Sequence, residues 1–468
     1  MRYLFVLLFL YGSLFAGMQN LDLNSAIELL KKNNSDIKIA KFNEDIAKFQ
    51  TKIAKSYNYG MLDLTFNALR SNDAGNVFGF KLQSREATFA DFGFDEFLAP
   101  MGYALRQANS GSLTPQDLQN MNSILGIEPK LLNYPEARSH FQTKLSYMVP
   151  LYTGGKLTQY EKISRAMEKM SHLDTKKIIN EKIYQTKKTF YDITLVDNLI
   201  SNLETLYGNI EKLEDIVQTM IEEGYAKDTD LLEVQAKKAE VLSFLNQAKL
   251  NRDLAYQFLS FLVGTQVESI RHTDELARLP EGETKELVEK TIDLKKVKLG
   301  MKISDMNVRL QKSGFYPTLG AFGEYGSADN KPFNDFTDKD AYTVGMQMKW
   351  NLFNGGETSA SVQKAKIEKM KVYEQYSLAK RGLALKINKI KTEVKSKDYD
   401  IQSNEKQLDF AKRVYENYQE RYKEGLVGIN EVLIKHSEEI KVLMNLLKVK
   451  TERNEKVFEL ESILDKGE

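Results

Sequence analysis

A five-residue pattern occurs twice in this chain and marks where it changes from one kind of structure to another. Leu151-Tyr152-Thr153-Gly154-Gly155 and Leu352-Phe353-Asn354-Gly355-Gly356 each read leucine, aromatic residue, spacer, glycine, glycine. Sequence that alternates like a β-strand precedes each copy, and a long proline-free run with helical spacing follows it. Glycine opens backbone angles that a side chain forbids, so the pair suits a handover from strand to helix. The copies lie 201 residues apart.

That offset persists downstream. Gly155 to Gly224 and Gly356 to Gly425 both span 69 residues, and Asp230-Leu231-Leu232 recurs as Glu431-Val432-Leu433. Upstream, Lys55-Ser56 aligns with Lys312-Ser313 at an offset of 257, so the loop between the strands is 56 residues longer in the first copy. One unit reads helix, strand, loop, strand, glycine pair, long helix, reversal, helix, and the chain holds two. We place the first repeat at residues 17–264, a linker containing Pro280 at 265–284 and the second repeat at 285–468.

In the first repeat, Ser25 and Glu28 fit a capping box for a helix reaching about Ser56, with a weak point at Asn33-Asn34-Ser35. Leu62, Leu64, Phe66 and Ala68 then alternate with Asp63, Thr65 and Asn67, as in a strand with one apolar face. Residues 71–138 show no period; Pro115, Pro129 and Pro135 interrupt them, and Phe78, Phe80, Phe89, Phe92, Phe94 and Phe97 add apolar weight, which favours a long folded loop. Alternation resumes at Phe141 to Val149. Residues 156–222 hold no proline and one glycine, Gly208. Ile193, Val196, Ile200, Leu203, Leu206, Ile210, Leu213, Ile216 and Met220 recur there at intervals of three and four, which predicts a coiled-coil helix roughly 100 Å long. After the break at Gly224 a second helix runs back to about Phe261.

The second repeat gives a helix over 285–312, a strand near 319–325 and a short polar loop. A strand with Tyr342, Val344, Met346, Met348 and Trp350 on one face follows, then a helix over 357–423, a break at Glu424-Gly425 and a final helix from about Glu431.

Composition removes several functions. The 66 basic and 65 acidic residues leave no bulk field that would draw nucleic acid. With no cysteine and four scattered histidines, thiolate zinc sites, disulfides and cysteine catalysis are excluded. No Gly-x-x-x-x-Gly-Lys or His-Glu-x-x-His pattern occurs, so we expect no catalytic residue, metal or cofactor. Residues 1–16 have the charge, short apolar core and small residues of a secretory signal. Four strands of about ten residues suit tilted membrane spans, yet four cannot close a barrel, and open edges are not tolerated in lipid. The chain is therefore expected to supply part of a shared barrel; a soluble sheet packed on helices is the competing reading.

The duplicated Leu-aromatic-x-Gly-Gly junction, the matched 69-residue spacing and the acidic position six residues beyond each reversal glycine resemble the TolC family of outer-membrane efflux proteins. The resemblance covers essentially the whole chain after the signal. It implies an α+β membrane protein of duplicated units, with four β-strands per chain in a shared twelve-stranded barrel and long coiled-coil helices forming a periplasmic α-barrel. It also implies a homotrimer in outer-membrane lipid that docks to a periplasmic adaptor and an inner-membrane transporter of the RND, ABC or MFS type, and does not bind nucleic acid. The function so implied is a passive exit duct for small molecules from a Gram-negative cell. The same duct in type I protein secretion is an alternative, as is a soluble periplasmic coiled-coil scaffold.

Carried over residue by residue, the resemblance assigns a periplasmic gate to Thr229, Asp230, Tyr422 and Glu431, and adaptor docking to Gly224, Tyr225, Ala226, Gly425, Leu426 and Val427. Val427 stands where a bridging arginine would face Asp230, and Ile434 where a second acid would line the aperture. Thr229, Asp230 and Asn430 equally suit helix caps. Leu151, Gly154, Gly155, Leu352, Gly355 and Gly356 are read as structural junctions. If the reversals are periplasmic, the loop over 71–138 lies outside the cell, where we expect it to cap or narrow the mouth.

Overall fold

The computed structural model describes residues 18–111, 114–124, 126–272, 276–333 and 335–465; the expected signal at 1–16 lies outside them. Internal contacts divide the chain into two units. One comprises the residues up to Gln50, Ile163–Asp305 and Lys366 onward; the other comprises Thr51–Lys162 and Met306–Ala365. Each unit draws on both sequence repeats.

The first unit is helical. It takes in α1 (Leu23–Asn33), most of α2 (Ser35–Ser56) and of α7 (Lys156–Glu222), α8 (Asp228–Val263), α9 (Thr284–Lys290), most of α10 (Ile292–Lys312) and of α11 (Glu357–Lys423), and α12 (Ile429–Ile463). The apolar seam of α7 is buried at Ile200, Leu203, Leu206, Ile210, Leu213 and Val217, against Val234, Val241 and Leu245 of α8 and Val432, Ile440 and Leu443 of α12. Sequence spacing put Ile216 rather than Val217 on this seam; Ile216 is half-buried at its margin.

Three local expectations are corrected here. The cap of α1 is Asp22, whose carboxylate accepts the amides of Asn24 and Ser25 at 3.0 Å, while Glu28 pairs with Lys31 within the helix. The aspartate three residues upstream outcompetes the Ser25 hydroxyl, which itself donates to Asp22 at 2.7 Å. The helix expected over 285–312 is two helices, α9 and α10, divided at Thr291, whose hydroxyl donates to the Val288 carbonyl at 2.7 Å. The first repeat breaks at the equivalent place, because the Asn34 side chain accepts the amides of Asp36 and Ile37 and donates to the Leu262 carbonyl. Finally, the linker is not free chain: Val267 and Ile270 form parallel bridges with Met18 and Leu21.

The second unit holds one antiparallel sheet in the order β1-β2-β3-β4, from β1 (Met61–Ser71), β2 (Arg138–Tyr152), β3 (Thr318–Asp329) and β4 (Asp340–Lys349). Its register aligns the alternation of all four strands. Leu64 pairs with Leu145, Leu145 with Tyr325 and Tyr325 with Tyr342, so these four share a row on one face. Leu62, Tyr147, Gly323 and Val344 make the next row. This apolar face is exposed, with Val344 77% accessible. The opposite face carries Asp63, Thr65, Lys144, Glu324 and Thr343, and Lys144 meets Glu324 at 3.1 Å. Trp350, expected on β4, lies beyond its end.

The segment 71–138 is also corrected. It folds as α3 (Ala74–Gln83), a 3-10 turn (Phe89–Phe92), α4 (Phe94–Asn109), α5 (Pro115–Ile124) and α6 (Lys130–Asn133). These helices are short, and α4 carries Pro100 within it, so no sustained period marks them in sequence.

Candidate functional site

Both glycine pairs adopt the left-handed conformation: φ is +62° and +84° at Gly154 and Gly155, and +65° and +87° at Gly355 and Gly356. Two such residues in succession turn the strand direction into the helix axis, and the amides of Lys156 and Glu357 donate back to Thr153 and Asn354 at 3.0 and 3.2 Å. The surroundings differ. A Cβ on Gly154 would lie 2.7 Å from the Ser313 carbonyl oxygen and 2.8 Å from the Tyr316 Cβ, whereas one on Gly355 meets open space. Gly355→Ala is therefore expected to cost about 1–2 kcal/mol from backbone strain, and Gly154→Ala a further 1–3 kcal/mol or so from overpacking. Thermal unfolding of the two variants in detergent compares them directly.

The leucines of the two junctions are not equivalent. β2 continues through Leu151, which forms a bulge between Pro150 and Tyr152, while β4 stops before Leu352. Around the junctions stands a group of exposed aromatics: Tyr59, Tyr152, Phe315, Tyr316, Trp350 and Phe353. The Trp350 indole donates to the Phe315 carbonyl at 3.1 Å, and the Tyr147 hydroxyl to the Tyr59 carbonyl at 2.7 Å. Rings with one apolar side and one anchored polar end, at the border of an apolar sheet face, have the chemistry of a membrane-interface girdle. Sequence reading singled out the junction aromatics and, as part of a strand face, Trp350; the rest surround them because all four strands have an end there.

At the helical reversals the two repeats close alike. Gly224 and Gly425 are left-handed, and the next amide reaches back five residues, Tyr225 to the Met220 carbonyl at 2.7 Å and Leu426 to that of Arg421 at 2.9 Å. Tyr225 and Leu426 project outward, whereas Val427 is half-buried against the core that joins the two hairpins. Asp230 lies in the first turn of α8, where its carboxylate accepts the Lys227 amide at 3.4 Å, a long capping bond. Its charge also acts on Tyr422 of α11. That tyrosine is 4% exposed and its hydroxyl meets no hydrogen-bond partner; burial, then Asp230, hold the phenol above its usual range. Asp230 and Tyr422 are thus neighbours through charge, with no hydrogen bond between them. Thr229 and Glu431 are exposed, as is Ile434. Sequence reasoning missed a groove of about 830 Å³ between α11 and α12, lined by Phe410, Ala411, Val414, Val442 and Met444 with lysines at its rim.

The segment 71–138 is fastened to the strand ends. Arg138 and Lys339 both pair with Glu86, Lys339 also meets Asp329 at 3.0 Å, and Phe80 stacks on His140 with centroids 4.1 Å apart. Phe89, Tyr103 and Tyr134 on its helices are exposed.

One sheet of four strands with open edges, in a chain with two 67-residue helices, defines a TolC-like fold. Residues 285–465 match the family described as Outer membrane efflux protein. The fold resembles that of CusC over 97% of this chain and 94% of that one, with TM-score 0.75 and 14% identity. It also resembles the CmeC outer membrane channel of Campylobacter jejuni, with TM-score 0.71, 16% identity and coverage of 95% and 87%. The outer membrane protein VceC of Vibrio cholerae gives TM-score 0.72 at 13% identity, covering 94% of each chain. No curated protein sequence matches the chain. Of these structures, CmeC is an outer membrane channel and CusC forms a transmembrane channel.

Proposed function

We propose that the chain is the passive outer-membrane duct of a tripartite efflux system, working as a homotrimer. The carrying observation is the sheet: an exposed apolar face, a polar face and unpaired edges at β1 and β4. In lipid such edges must be paired, and copies of the same chain pair β4 with the next β1. The helical unit supplies a second seam. Ile39, Phe42, Ile46 and Phe49 of α2 form an exposed stripe at heptad spacing, as a helix that packs against another copy requires. Purification tests this. We expect a heat-modifiable trimer that needs detergent, and a soluble monomer or dimer would refute it.

The reversals then form the periplasmic tip, with Thr229, Asp230, Tyr422 and Glu431 at the gate. An adaptor meets Gly224, Tyr225, Gly425, Leu426 and Val427, and the apolar groove between α11 and α12 accommodates a partner helix in the helix-in-groove mode. An inner-membrane transporter of the RND, ABC or MFS type supplies the energy, since the chain offers no nucleotide motif. Glu431 is the acid at the aperture. Neutralising it by Glu431→Gln removes about 1 kcal/mol of attraction for a cation passing at 4 Å in water-like surroundings, roughly fivefold in local concentration. The expected result is a fall in cation over anion permeability, read from the reversal potential in a salt gradient.

The helices of 71–138 cover the external mouth. Deleting residues 76–134 is expected to raise single-channel conductance; unchanged conductance would refute the covering role.

A further inference from the structure

We infer that His436 is an acid-responsive element in the seam between the two helical hairpins, so that acidification loosens the hairpin packing and favours opening of the tip; the link to opening rests on the proposed gate. His436 lies on α12, two turns beyond Ile429, and is 0% exposed. Neither ring nitrogen meets a hydrogen-bond partner. Its ring stands 4.8 Å from that of Tyr415 on α11, and Tyr415 belongs to the core that α7, α8, α11 and α12 share. A buried imidazole with no acceptor is stable only as the neutral base.

Burial makes protonation harder, and the charges around the ring act in both directions. From α8, Lys237 opposes a positive ring and Glu240 favours one, with burial the larger effect. On α11, Tyr415 is occupied by Gln419, which donates to its hydroxyl at 2.8 Å, so the phenol oxygen is not free to serve the imidazole alone. On α12 itself, Glu439 is 9% exposed with one carboxylate oxygen unpartnered; burial raises its pKa, Lys412 of α11 lowers it and Glu416 of α11 raises it.

The two groups act with opposite signs. Burial lowers the His436 pKa from 6.5 to about 4, so a hairpin opened to water takes up a proton on the histidine before the packed one does. Between those values each unit of acidification shifts the balance tenfold toward the open form. The Glu439 pKa is raised, so its stabilisation of the packed form grows as pH falls and partly offsets the histidine.

The test uses the full-length trimer in detergent, with thermal midpoints taken from pH 7.5 to pH 5. The wild-type midpoint is expected to fall below about pH 6.5, the fall to flatten in His436→Phe, and to steepen in Glu439→Gln. If His436→Phe fails to assemble, His436→Met serves the same comparison. A variant lacking the histidine that keeps the wild-type pH dependence overturns the inference. Conductance measured in parallel separates the two readings: a histidine-dependent midpoint with pH-independent open probability upholds the acid-labile seam and refutes the hairpins as the gate.

Discussion

Val344→Arg is expected to prevent assembly of the membrane barrel. Val344 lies in mid-strand on the apolar face, in the row with Leu62, Tyr147 and Gly323, and is 77% exposed in the single chain. Arginine facing lipid near the bilayer midplane costs about 2–4 kcal/mol in a barrel strand, and a trimer carries the cost in every chain. Thr343→Arg, one residue away, points to the polar face beside Glu324 and is expected to leave the assembly intact. The measurement is the yield of heat-modifiable trimer in the membrane fraction. Equal yields would show that the two faces have been assigned the wrong environments.

The second large effect is expected at Tyr422. Its ring is buried in the core joining α7, α8, α11 and α12, so Tyr422→Ala should cost about 3–5 kcal/mol locally. Because the residue is one turn from the Gly425 reversal, we expect the loss to appear as higher closed-state conductance as well as lower stability. Tyr422→Phe separates packing from polarity. The hydroxyl is buried without a partner, so its removal should leave stability unchanged or raise it by about 1 kcal/mol. Conductance like wild type in Tyr422→Phe and raised in Tyr422→Ala would place closure in the packing of the ring. A leak from Tyr422→Phe would place it in the hydroxyl instead.

The fold was legible in the sequence wherever a long period was uninterrupted. Glycine pairs open the 67-residue helices and single glycines close them because those positions need left-handed angles, and few other residues accept them. The alternation at Tyr342, Val344 and Met346 was plain because four successive positions on one face of β4, through Met348, carry large, mainly apolar side chains. Short elements were not legible. Ten residues of α3 or α5 carry too few turns to stand out, and Asp22 displaced Ser25 as a cap through one extra favourable carboxylate. The aromatic girdle escaped notice because its members are remote in sequence and meet only when the strands are aligned. His436 escaped for a similar reason: a lone histidine on a helical run carries no signal until the neighbouring helices enclose it.

The open edges of the sheet have a genetic consequence. In the proposed trimer each seam is built from β4 of one chain and β1 of the next, so a chain with a sound β1 and a damaged β4 would still recruit a neighbour and then stop the ring from closing. Such an allele should be dominant: produced alongside the wild type, it would remove sound chains from circulation. A chain damaged at both edges would join nothing and behave as recessive.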